Sequence, residues 1–569
     1  MWNYMLFSIL VLFLSFLYHC YFNKPVSMIE HPDADYDYII VGAGTSGCVL
    51  ASRLSEASNV TVLLIEAGGY FGWVSSVPLL SPMTQGTEFD WTYLMEPQKF
   101  SSKGFWNYVQ KMPRGKGLGG TGQMNHLVHS FGRPDDYNGW PEGWSHADLL
   151  PYFEKVSDIM NVMSSPEEEF LVDAFLSAED ALNASHVTLQ KGLYTVKKGS
   201  RWSTYHAYLQ NAWNRNNLHI LTNTLVSKIF FKDDTKATVD GVKVIYKGGS
   251  IGRIGARKEV ILCAGVINTP QLLMLSGIGP AEDLNKFQIP VVNNLPAVGK
   301  NFFDQIMLPI YVKLEARVSM TLIKLQTLPE VMNYFVFGRV LTIVPRCEGW
   351  YATNGVMGTG RTNNSGVMLF GMGSTEEKML KSMSNYMTEP YRSLYPSYKN
   401  NSQEGFLYLS YCLQPKSRGS ITLKSRNIRH QPKIDPAYFE NYDDILCTHE
   451  AINFAIQTLE TKMFREFGAK VHLPDLEECR HLPQDYRNIE YSECVMRVGG
   501  MTSYHACGSC RMGDDEHAVV DEELRVRGVS GLRIMDASVL PSPISGNPNS
   551  VFIAMAEKTS DLILGRSSK

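Results

Sequence analysis

The sequence lacks an excess of charge of either sign, and it contains no long run of like charges. Its 53 lysine and arginine residues nearly balance its 57 aspartate and glutamate residues, which leaves a formal net charge of −4. A protein that binds nucleic acid through its phosphates needs a basic patch or a basic arm. We therefore predict that nucleic acid is not a partner.

The sequence also lacks a recognisable cysteine scaffold. The ten cysteines among 569 residues show no spacing typical of a disulfide scaffold, and a chain that is 44% hydrophobic can build two or three cores without covalent staples. Cys507 and Cys510 have the spacing of a redox dithiol or of half a zinc site. Because no second ligand pair at matching spacing accompanies them, we interpret the two as a structural disulfide or as inert thiols and predict no metal.

Charge is absent altogether from the first 23 residues, and residues 5–18 form a nearly unbroken apolar run. This run is near the upper length of a signal-peptide core and short of the roughly 20 residues that span a bilayer. Residues 1–23 are therefore predicted to be a cleaved signal peptide or, alternatively, a membrane anchor. Both predict the secretory pathway and a protein that is secreted, or membrane-anchored facing the lumen or the exterior. Four Asn-x-Ser/Thr triplets fit a glycoprotein on this route, at Asn59, Asn183, Asn363 and Asn400.

A glycine-rich turn follows the first segment that has the character of a strand. Residues 36–41 are apolar and β-rich, and residues 48–56, after the turn, have helical character. Gly42 allows the tight turn, Gly44 lets a pyrophosphate approach the backbone, and Gly47 lets the helix pack closely on the strand. The N terminus of the helix would face the phosphates. This pattern predicts a dinucleotide-binding site.

An acidic residue supports the same interpretation. The apolar run 60–65 ends in Glu66, at the separation expected for the acid that binds the ribose hydroxyls. An acid at this position suits an unphosphorylated ribose, but it does not distinguish FAD from NAD. The predicted cofactor contacts in this part of the chain are Gly42, Gly44, Thr45, Ser46, Gly47, Glu66 and Ala67.

Two longer blocks carry a more specific signal. Residues 115–125 read GKGLGGTGQMN, and residues 269–279 read TPQLLMLSGIG. They resemble the first and second signatures of the glucose-methanol-choline (GMC) oxidoreductases, flavoproteins that oxidise alcohols. The resemblance covers nearly all of the chain after the N-terminal segment, and it is to insect members in particular. Further blocks follow in the family's order at residues 150–153, 218–222, 296–301 and 417–420.

The resemblance implies FAD as the cofactor and an α/β fold of two domains. A doubly wound FAD-binding domain and a substrate domain on an antiparallel sheet would hold the flavin between them. We predict a discontinuous FAD-binding domain at residues 36–160, 222–318 and 499–569, and a substrate-binding domain at residues 161–221 and 319–498. By the family's pattern, the further cofactor contacts are Gly119, Thr121, Asn125, Val226, Asp536, Ala537 and Pro548.

A histidine and an asparagine near the C terminus are the predicted catalytic residues. Oxidation of an alcohol by hydride transfer to flavin N5 also requires a base for the hydroxyl proton, and histidine suits this role near neutral pH. His505, in the block YHACGSCRMG, resembles the family's catalytic histidine. Asn547, in SGNPNS, stands where family members carry a histidine or an asparagine that hydrogen-bonds the substrate oxygen. Asn549 is the alternative to Asn547 as this partner.

Two stretches depart from the family's pattern. His126 and His129 follow the first signature, where relatives usually carry small and aliphatic residues. These histidines either tune the flavin and line the active site or are ordinary polar residues of a loop. Gln305 stands where many relatives have a histidine. Because the catalytic residues and the flavin glycines are intact, the changes indicate a divergent branch rather than an inactive enzyme.

The substrate is the least determined part of the prediction. Residues 311–409, which form most of the pocket in this family, are rich in Met, Tyr and Phe. This composition favours a bulky apolar alcohol, such as a steroid or a retinoid, over a sugar, although the same residues are also ordinary core residues. The electron acceptor would be oxygen or another compound such as a quinone. The alternative functions are a lyase that keeps FAD and the fold, and a non-catalytic secreted flavoprotein.

Overall fold

The computed structural model describes residues 26–164, 170–182, 187–233, 236–327 and 356–566. The predicted targeting segment and the Asn183 triplet lie outside these residues, and so does part of the predicted substrate region. Within the described ranges, no helix combines the length and the apolar character needed to cross a membrane.

Seven strands of the described chain form a mostly parallel sheet. Asp35–Val41 lies near its centre and runs parallel to both of its neighbours. The neighbouring strand Val62–Ile65 is buried at every residue, as expected for a strand covered on both faces. The strand order is Leu225–Asp233, Lys236–Ile245, Ile251–Leu262, Asp35–Val41, Val62–Ile65 and Leu218–Leu221, with Leu532–Ile534 also paired to Ile251–Leu262.

Helices cover this sheet. Thr45–Leu54 follows the first strand, and the C-terminal helix Asn549–Leu564 packs against it and against His146–Ile159. Gly265–Leu275 contacts the strand Leu225–Asp233. This arrangement confirms the predicted doubly wound α/β layer, to which the first and last elements of the chain both contribute.

A second set of seven strands forms an antiparallel sheet, which confirms the other predicted layer. The helix Asp443–Thr458 packs against its strands Gly405–Cys412 and Ser365–Phe370. The strand order is Lys470–Val471, Ile306–Lys313, Gly405–Cys412, Ser365–Phe370, Val356–Arg361 and Thr188–Lys191, with Met501–Thr502 also paired to Ile306–Lys313.

The remaining elements are short or lie at the edges of the two layers. The other α-helices are Trp73–Ser76, Phe170–Leu182, Gln210–Ala212, Ala281–Lys286, Leu322–Leu325, Glu377–Ser384, Thr388–Leu394, Lys462–Glu466 and Ile489–Gly499. Small ribbons join Tyr93–Leu94 with Lys111–Met112, Val162–Ser164 with Leu193–Lys197 and Ser200–Arg201, Ile278–Gly279 with Asn293–Asn294, and Ser420–Thr422 with Lys433–Asp435.

Three predicted domain boundaries do not coincide with the limits of the sheets. Leu218–Leu221 falls in the predicted substrate-binding domain, but this strand pairs with Val62–Ile65 in the parallel sheet. Ile306–Lys313 and Met501–Thr502 fall in the predicted FAD-binding domain, but they pair with each other in the antiparallel sheet, where Ile306–Lys313 also pairs with Gly405–Cys412. The two longer strands are apolar runs that suit either sheet, so their composition does not reveal where the chain crosses between layers. The other boundaries stay a prediction.

The cysteines divide into bonded and free groups. Two disulfides lie in the antiparallel part of the molecule, Cys412–Cys447 and Cys479–Cys494. Cys507 and Cys510 are free and buried, and burial raises the pKa of each thiol above its ordinary value. A thiol that stays protonated is a poor nucleophile and a poor metal ligand. Of the two interpretations of this pair, inert thiols are correct and a disulfide between them is wrong.

Candidate active site

The glycine-rich turn joins the first strand to the helix Thr45–Leu54 and leaves no room for side chains at two positions. A Cβ on Gly42 would lie 2.4 Å from the carbonyl oxygen of Cys263, and one on Gly47 would lie 1.9 Å from that of Gly42. A Cβ on Gly44 would meet no described atom within 4 Å, because this side opens into a cavity. No side chain of the described chain caps the helix, so its first N–H groups can bind an anion.

Glu66 follows the strand Val62–Ile65, next to this turn. Its carboxylate oxygens accept hydrogen bonds from the N–H groups of Ala43 at 2.8 Å and Gly68 at 2.9 Å. Burial raises the pKa of Glu66, and these hydrogen bonds oppose that shift. They hold the carboxylate at the cavity wall, beside Ala67. The two oxygens have four lone pairs between them, so the carboxylate can also accept from a ribose hydroxyl.

One cavity connects the turn with residues that lie far apart in the sequence. Gly47 and Gly119 are not part of its wall, and Gly119 instead donates its N–H to the carbonyl of Ala43 at 2.7 Å. The turn, the uncapped helix and the fixed acid fit the dinucleotide portion of FAD at one end. The predicted site residues on the wall are Gly42, Gly44, Thr45, Ser46, Glu66, Ala67, Thr121, Asn125, Val226, His505, Asp536, Ala537, Asn547 and Pro548.

Asp536 fixes a loop at the cavity wall. Its Oδ2 accepts from the Gly265 N–H at 2.9 Å and from the Thr269 hydroxyl at 2.6 Å, and its Oδ1 accepts from the Ser538 N–H at 2.8 Å. Burial raises the pKa of this carboxyl, while the hydrogen bonds lower it. The side chain is therefore engaged within the protein as a helix cap. The cofactor contact predicted for Asp536 and Ala537 stays a proposal.

His505 lies on the cavity wall between a glutamine and an asparagine. Its Nδ1 is 2.5 Å from Oε1 of Gln305, and its Nε2 is 2.9 Å from Nδ2 of Asn547. The surrounding protein excludes water and lowers the pKa of His505 to about 3, with smaller contributions from Arg114 and His126. The imidazole is therefore neutral at physiological pH, with an acceptor lone pair on one nitrogen.

Asn547 belongs to a loop that Asp136 holds in place. The buried carboxylate of Asp136 accepts from the Ser545 N–H at 2.7 Å and from the Ser545 hydroxyl at 2.6 Å. Asn549, the alternative partner, faces the nucleotide end, where its Oδ1 accepts from the Thr45 hydroxyl at 2.9 Å. Asn547 rather than Asn549 is therefore the neighbour of the predicted base.

The two histidines that follow the first signature have different surroundings. His126 lines the same cavity as His505, and burial lowers its pKa to about 4, with a smaller contribution from the Arg201 cation. His129 is buried outside that wall, and its Nδ1 lies 2.7 Å from the Ser550 hydroxyl. Burial also lowers the pKa of His129 to about 4. By position, His126 lines the cavity that contains His505, whereas His129 is a hydrogen-bonded residue of the interior.

Arg201 is a structural residue of the site that the sequence does not reveal. It is fully buried and donates to the Ser75 carbonyl at 2.8 Å and the Ser81 hydroxyl at 2.5 Å. It also donates to the Gly122 carbonyl at 2.9 Å and to both oxygens of Asn125, at 2.6 and 2.7 Å. Burial lowers its pKa to about 9. An isolated arginine in a polar stretch usually lies on the surface, so no local pattern predicts this role.

Comparisons with known proteins agree with this geometry. Family models described as GMC oxidoreductase match residues 36–307 and residues 415–556. A formate oxidase variant of Aspergillus oryzae RIB40 has a TM-score of 0.78 at 21% identity, covering 94% of this chain and 99% of that chain. At this identity the likeness shows a shared fold.

Several curated relatives span almost the whole chain. Neither inactivation nor afterpotential protein G of Drosophila melanogaster is 35% identical, over 93% of this chain and 90% of that protein. Glucose dehydrogenase (FAD, quinone) of Drosophila melanogaster is 31% identical over 94% and 87%, and ecdysone oxidase of Spodoptera littoralis is 31% identical over 93% and 91%. The chain therefore belongs to the GMC oxidoreductase family, and it is an FAD-dependent oxidoreductase that acts on CH–OH donors.

Proposed function

We propose that this protein oxidises a bulky apolar alcohol to a carbonyl, with His505 as the base and Asn547 as its partner. The observation that carries the proposal is the distance of 2.9 Å between Nε2 of His505 and Nδ2 of Asn547. This pair lies on the wall of the cavity whose other end is the glycine turn. A hydroxyl that replaced this direct contact would donate to Nε2 of His505 and accept from Nδ2 of Asn547, so both residues would orient it.

The oxidation removes a proton and a hydride from the alcohol, and two electrons leave with the hydride. FAD, when bound, supplies the hydride acceptor at flavin N5. The proton goes to His505, which is neutral because the surrounding protein lowers its pKa to about 3. The amide of Asn547 donates a hydrogen bond to the substrate oxygen and stabilises the negative charge that develops there as the proton leaves.

The composition of the predicted substrate region supports an apolar substrate. Residues 311–409 are rich in Met, Tyr and Phe, and such side chains favour the burial of hydrocarbon. The relatives include an ecdysone oxidase and a glucose dehydrogenase, so a sugar is the competing substrate class.

Anaerobic reduction of the bound flavin tests the substrate class. The full-length protein is mixed with steroid, retinoid, short-chain and sugar alcohols, and the absorbance of the oxidised flavin is followed. We expect a steroid or a retinoid to bleach it, and reoxidation by oxygen or by a quinone then identifies the acceptor. Bleaching by sugars alone would contradict the substrate class. Bound FAD that no alcohol bleaches would favour the lyase or the non-catalytic flavoprotein.

The variant His505→Ala tests the proposed base. We expect flavin reduction to slow by about 10²- to 10⁴-fold, the usual range for the loss of a general base, while FAD stays bound. His449→Ala is a matched control, because His449 lies in the helix Asp443–Thr458 and is outside the cavity wall. An unchanged rate in His505→Ala with full FAD content would contradict the role of this residue.

We also propose passage through the secretory pathway. The two disulfides support folding in an oxidising compartment. The asparagines of the three triplets in the described ranges, Asn59, Asn363 and Asn400, are all exposed. We expect an endoglycosidase to reduce the mass of the protein expressed in animal cells, and cell fractionation to separate the secreted from the anchored form. A cytosolic, unglycosylated protein would contradict this route.

A further inference from the structure

Gln305 holds its side-chain amide in one orientation. It is buried just before the strand Ile306–Lys313, and its Nε2 donates to the carbonyl oxygens of Leu413 at 2.7 Å and Ile544 at 3.0 Å. An amide nitrogen has two N–H groups, so both are used. Turning the amide around would place its oxygen against two carbonyl oxygens and leave these unpaired in the interior. Its Oε1 therefore faces His505.

This orientation decides which nitrogen of His505 carries the proton. Oε1 of Gln305 is only an acceptor and lies 2.5 Å from Nδ1, so Nδ1 carries the N–H. A neutral imidazole then has its lone pair on Nε2, and the Asn547 amide agrees because it donates to Nε2 at 2.9 Å. We propose that Gln305 is a positioning residue that holds His505 in the tautomer whose basic nitrogen faces Asn547. This inference rests on the proposed role of His505 as the base.

The anchors of Gln305 come from both sides of the site. Leu413 follows a strand of the antiparallel sheet, whereas Ile544 lies in the loop that leads to Asn547. One side chain therefore fixes the base and restrains the loop of its partner. Its own main chain is tied to the segment before His505, because the carbonyl of Gln305 accepts from the N–H and the hydroxyl of Ser503 at 3.0 and 2.7 Å.

Glutamine differs physically from the histidine that many relatives carry at this position. An imidazole can exchange its tautomer or take up a proton, and either change would alter what it presents to His505. The amide of Gln305 does not titrate, so it presents the same acceptor at every physiological pH. In this chain the tautomer of His505 is therefore set by Gln305, a residue that neither gains nor loses a proton at physiological pH.

The proton balance of the reaction is consistent with this role. As the alcohol O–H bond breaks, a new N–H bond forms at Nε2 of His505, and the imidazole then carries a proton on both nitrogens. The C–H bond would break with its electron pair, and oxidised FAD, when bound, would supply the acceptor of that hydride. Oε1 of Gln305 accepts from Nδ1 before and after this step, so no proton has to move through Gln305.

Nitrogen NMR of the holoenzyme labelled with ¹⁵N-histidine measures the tautomer without any substrate. The resonances of His505 are those that disappear in His505→Ala. We expect Nδ1 to be protonated and Nε2 to be unprotonated in the wild-type enzyme. Gln305→Met keeps the length of the side chain and removes the acceptor, so we expect a mixture of tautomers and flavin reduction that is about 10- to 100-fold slower.

Gln98→Met is the matched control for the loss of a buried glutamine. The amide of Gln98 bonds Glu96, Asp435 and Tyr438, which lie outside the cavity wall. We expect a wild-type tautomer and a wild-type rate in this variant. A wild-type enzyme with its proton on Nε2 would overturn the proposal, and so would a flavin-loaded Gln305→Met with a wild-type tautomer and rate. Because the NMR needs no turnover, failure of every alcohol to reduce the flavin would refute the proposed function alone.

Discussion

The two ends of the cavity are built from different kinds of groups. At the nucleotide end, one turn of six consecutive residues, 42–47, offers backbone N–H groups and, at Gly44, open space. At the catalytic end, side chains meet from distant positions: His505 is 200 residues from Gln305 and 42 from Asn547. A substitution at the first end acts by filling space, whereas one at the second end removes a functional group. Substitutions at the nucleotide end should therefore impair FAD binding or folding, whereas substitutions at the catalytic end should slow flavin reduction.

The largest effect is expected at the glycine turn. Gly44→Val should abolish FAD binding in a folded protein, because its side chain would occupy the open space that the diphosphate requires. Gly47→Ala should instead unfold the protein more easily, by about 3 kcal/mol or more, since its Cβ would overlap a backbone oxygen. The ratio of flavin to protein and denaturant unfolding measure the two effects. If Gly44→Val kept its full flavin content, the diphosphate of FAD could not bind beside Gly44 as we propose.

Two asparagines that are two residues apart test the comparison directly. Asn547→Ala should slow flavin reduction by about 10²-fold with FAD retained, as for the loss of a hydrogen-bond donor to a developing oxyanion. Asn549→Ala removes the acceptor of the Thr45 hydroxyl, so it should weaken FAD binding about tenfold with little change in rate. Stopped-flow reduction and FAD titration of the apoprotein separate the two. The reverse pattern would mean that the two ends are assigned wrongly.

Arg201 connects the segment of the cavity wall at Asn125 with the segment at Ser75 and Ser81. Its replacement should act on the stability of the protein rather than on one end of the cavity. Arg201→Lys keeps the charge but cannot reproduce the fork of hydrogen bonds, so we expect the free energy of unfolding to fall by about 2–4 kcal/mol. Denaturant unfolding measures this change. The control Arg487→Lys, at an exposed ion pair, should change stability by less than about 0.5 kcal/mol. Equal stabilities of the two variants would contradict the structural role of Arg201.

The smallest expected effect is that of pH on the rate of flavin reduction, which should differ from the effect of pH on the stability of the protein. The protein lowers the pKa of His505 to about 3 and those of His126, His129 and His206 to about 4, from an ordinary value of 6.5. The base therefore stays neutral, and flavin reduction should change less than about twofold between about pH 5.5 and about pH 8.

Stability should follow pH in the same experiment. The stabilisation from these four neutral histidines is complete above pH 6.5, and it is lost as the pH falls from 6.5 toward 4, because the unfolded chain then binds protons that the native state excludes. Thermal unfolding at neutral and at mildly acidic pH checks this direction. If the rate of flavin reduction fell as the pH was lowered through about 6.5, His505 would not be a base that stays neutral in this range.

The nucleotide end could be predicted from the sequence because local sterics choose its residues. A short stretch of the chain contains the strand, the turn, the helix and Glu66 in succession. Each glycine of the turn is favoured by steric limits that arise within this stretch. His505 and Asn547 were predicted through the family's blocks, and their roles stay predictions. The structure adds the distance between them, and it places Asn547, rather than the alternative Asn549, beside His505.

The supporting residues could not be predicted, because their roles depend on contacts between remote segments. Asp136 and Arg201 are charged residues of types that usually lie on the surface, yet both are buried by hydrogen bonds to other segments. The disulfide Cys412–Cys447 likewise joins cysteines whose spacing matches no scaffold. The antiparallel sheet was predicted through the resemblance alone, and Leu218–Leu221 shows that an apolar strand does not reveal which sheet it joins.

The packing of the last helix against the first has a consequence for biosynthesis. The Thr45 hydroxyl bonds Asn549, 504 residues later, so the turn is translated long before its neighbours in this helix. Contacts of such long sequence separation form slowly, and they can form only after both segments have been translated. A chain that has been translated only as far as residue 548 would carry the whole glycine motif but lack this packing. We therefore expect flavin retention to require translation of the helix Asn549–Leu564, and a stop codon just before Asn549 to yield a flavin-free protein with an intact motif.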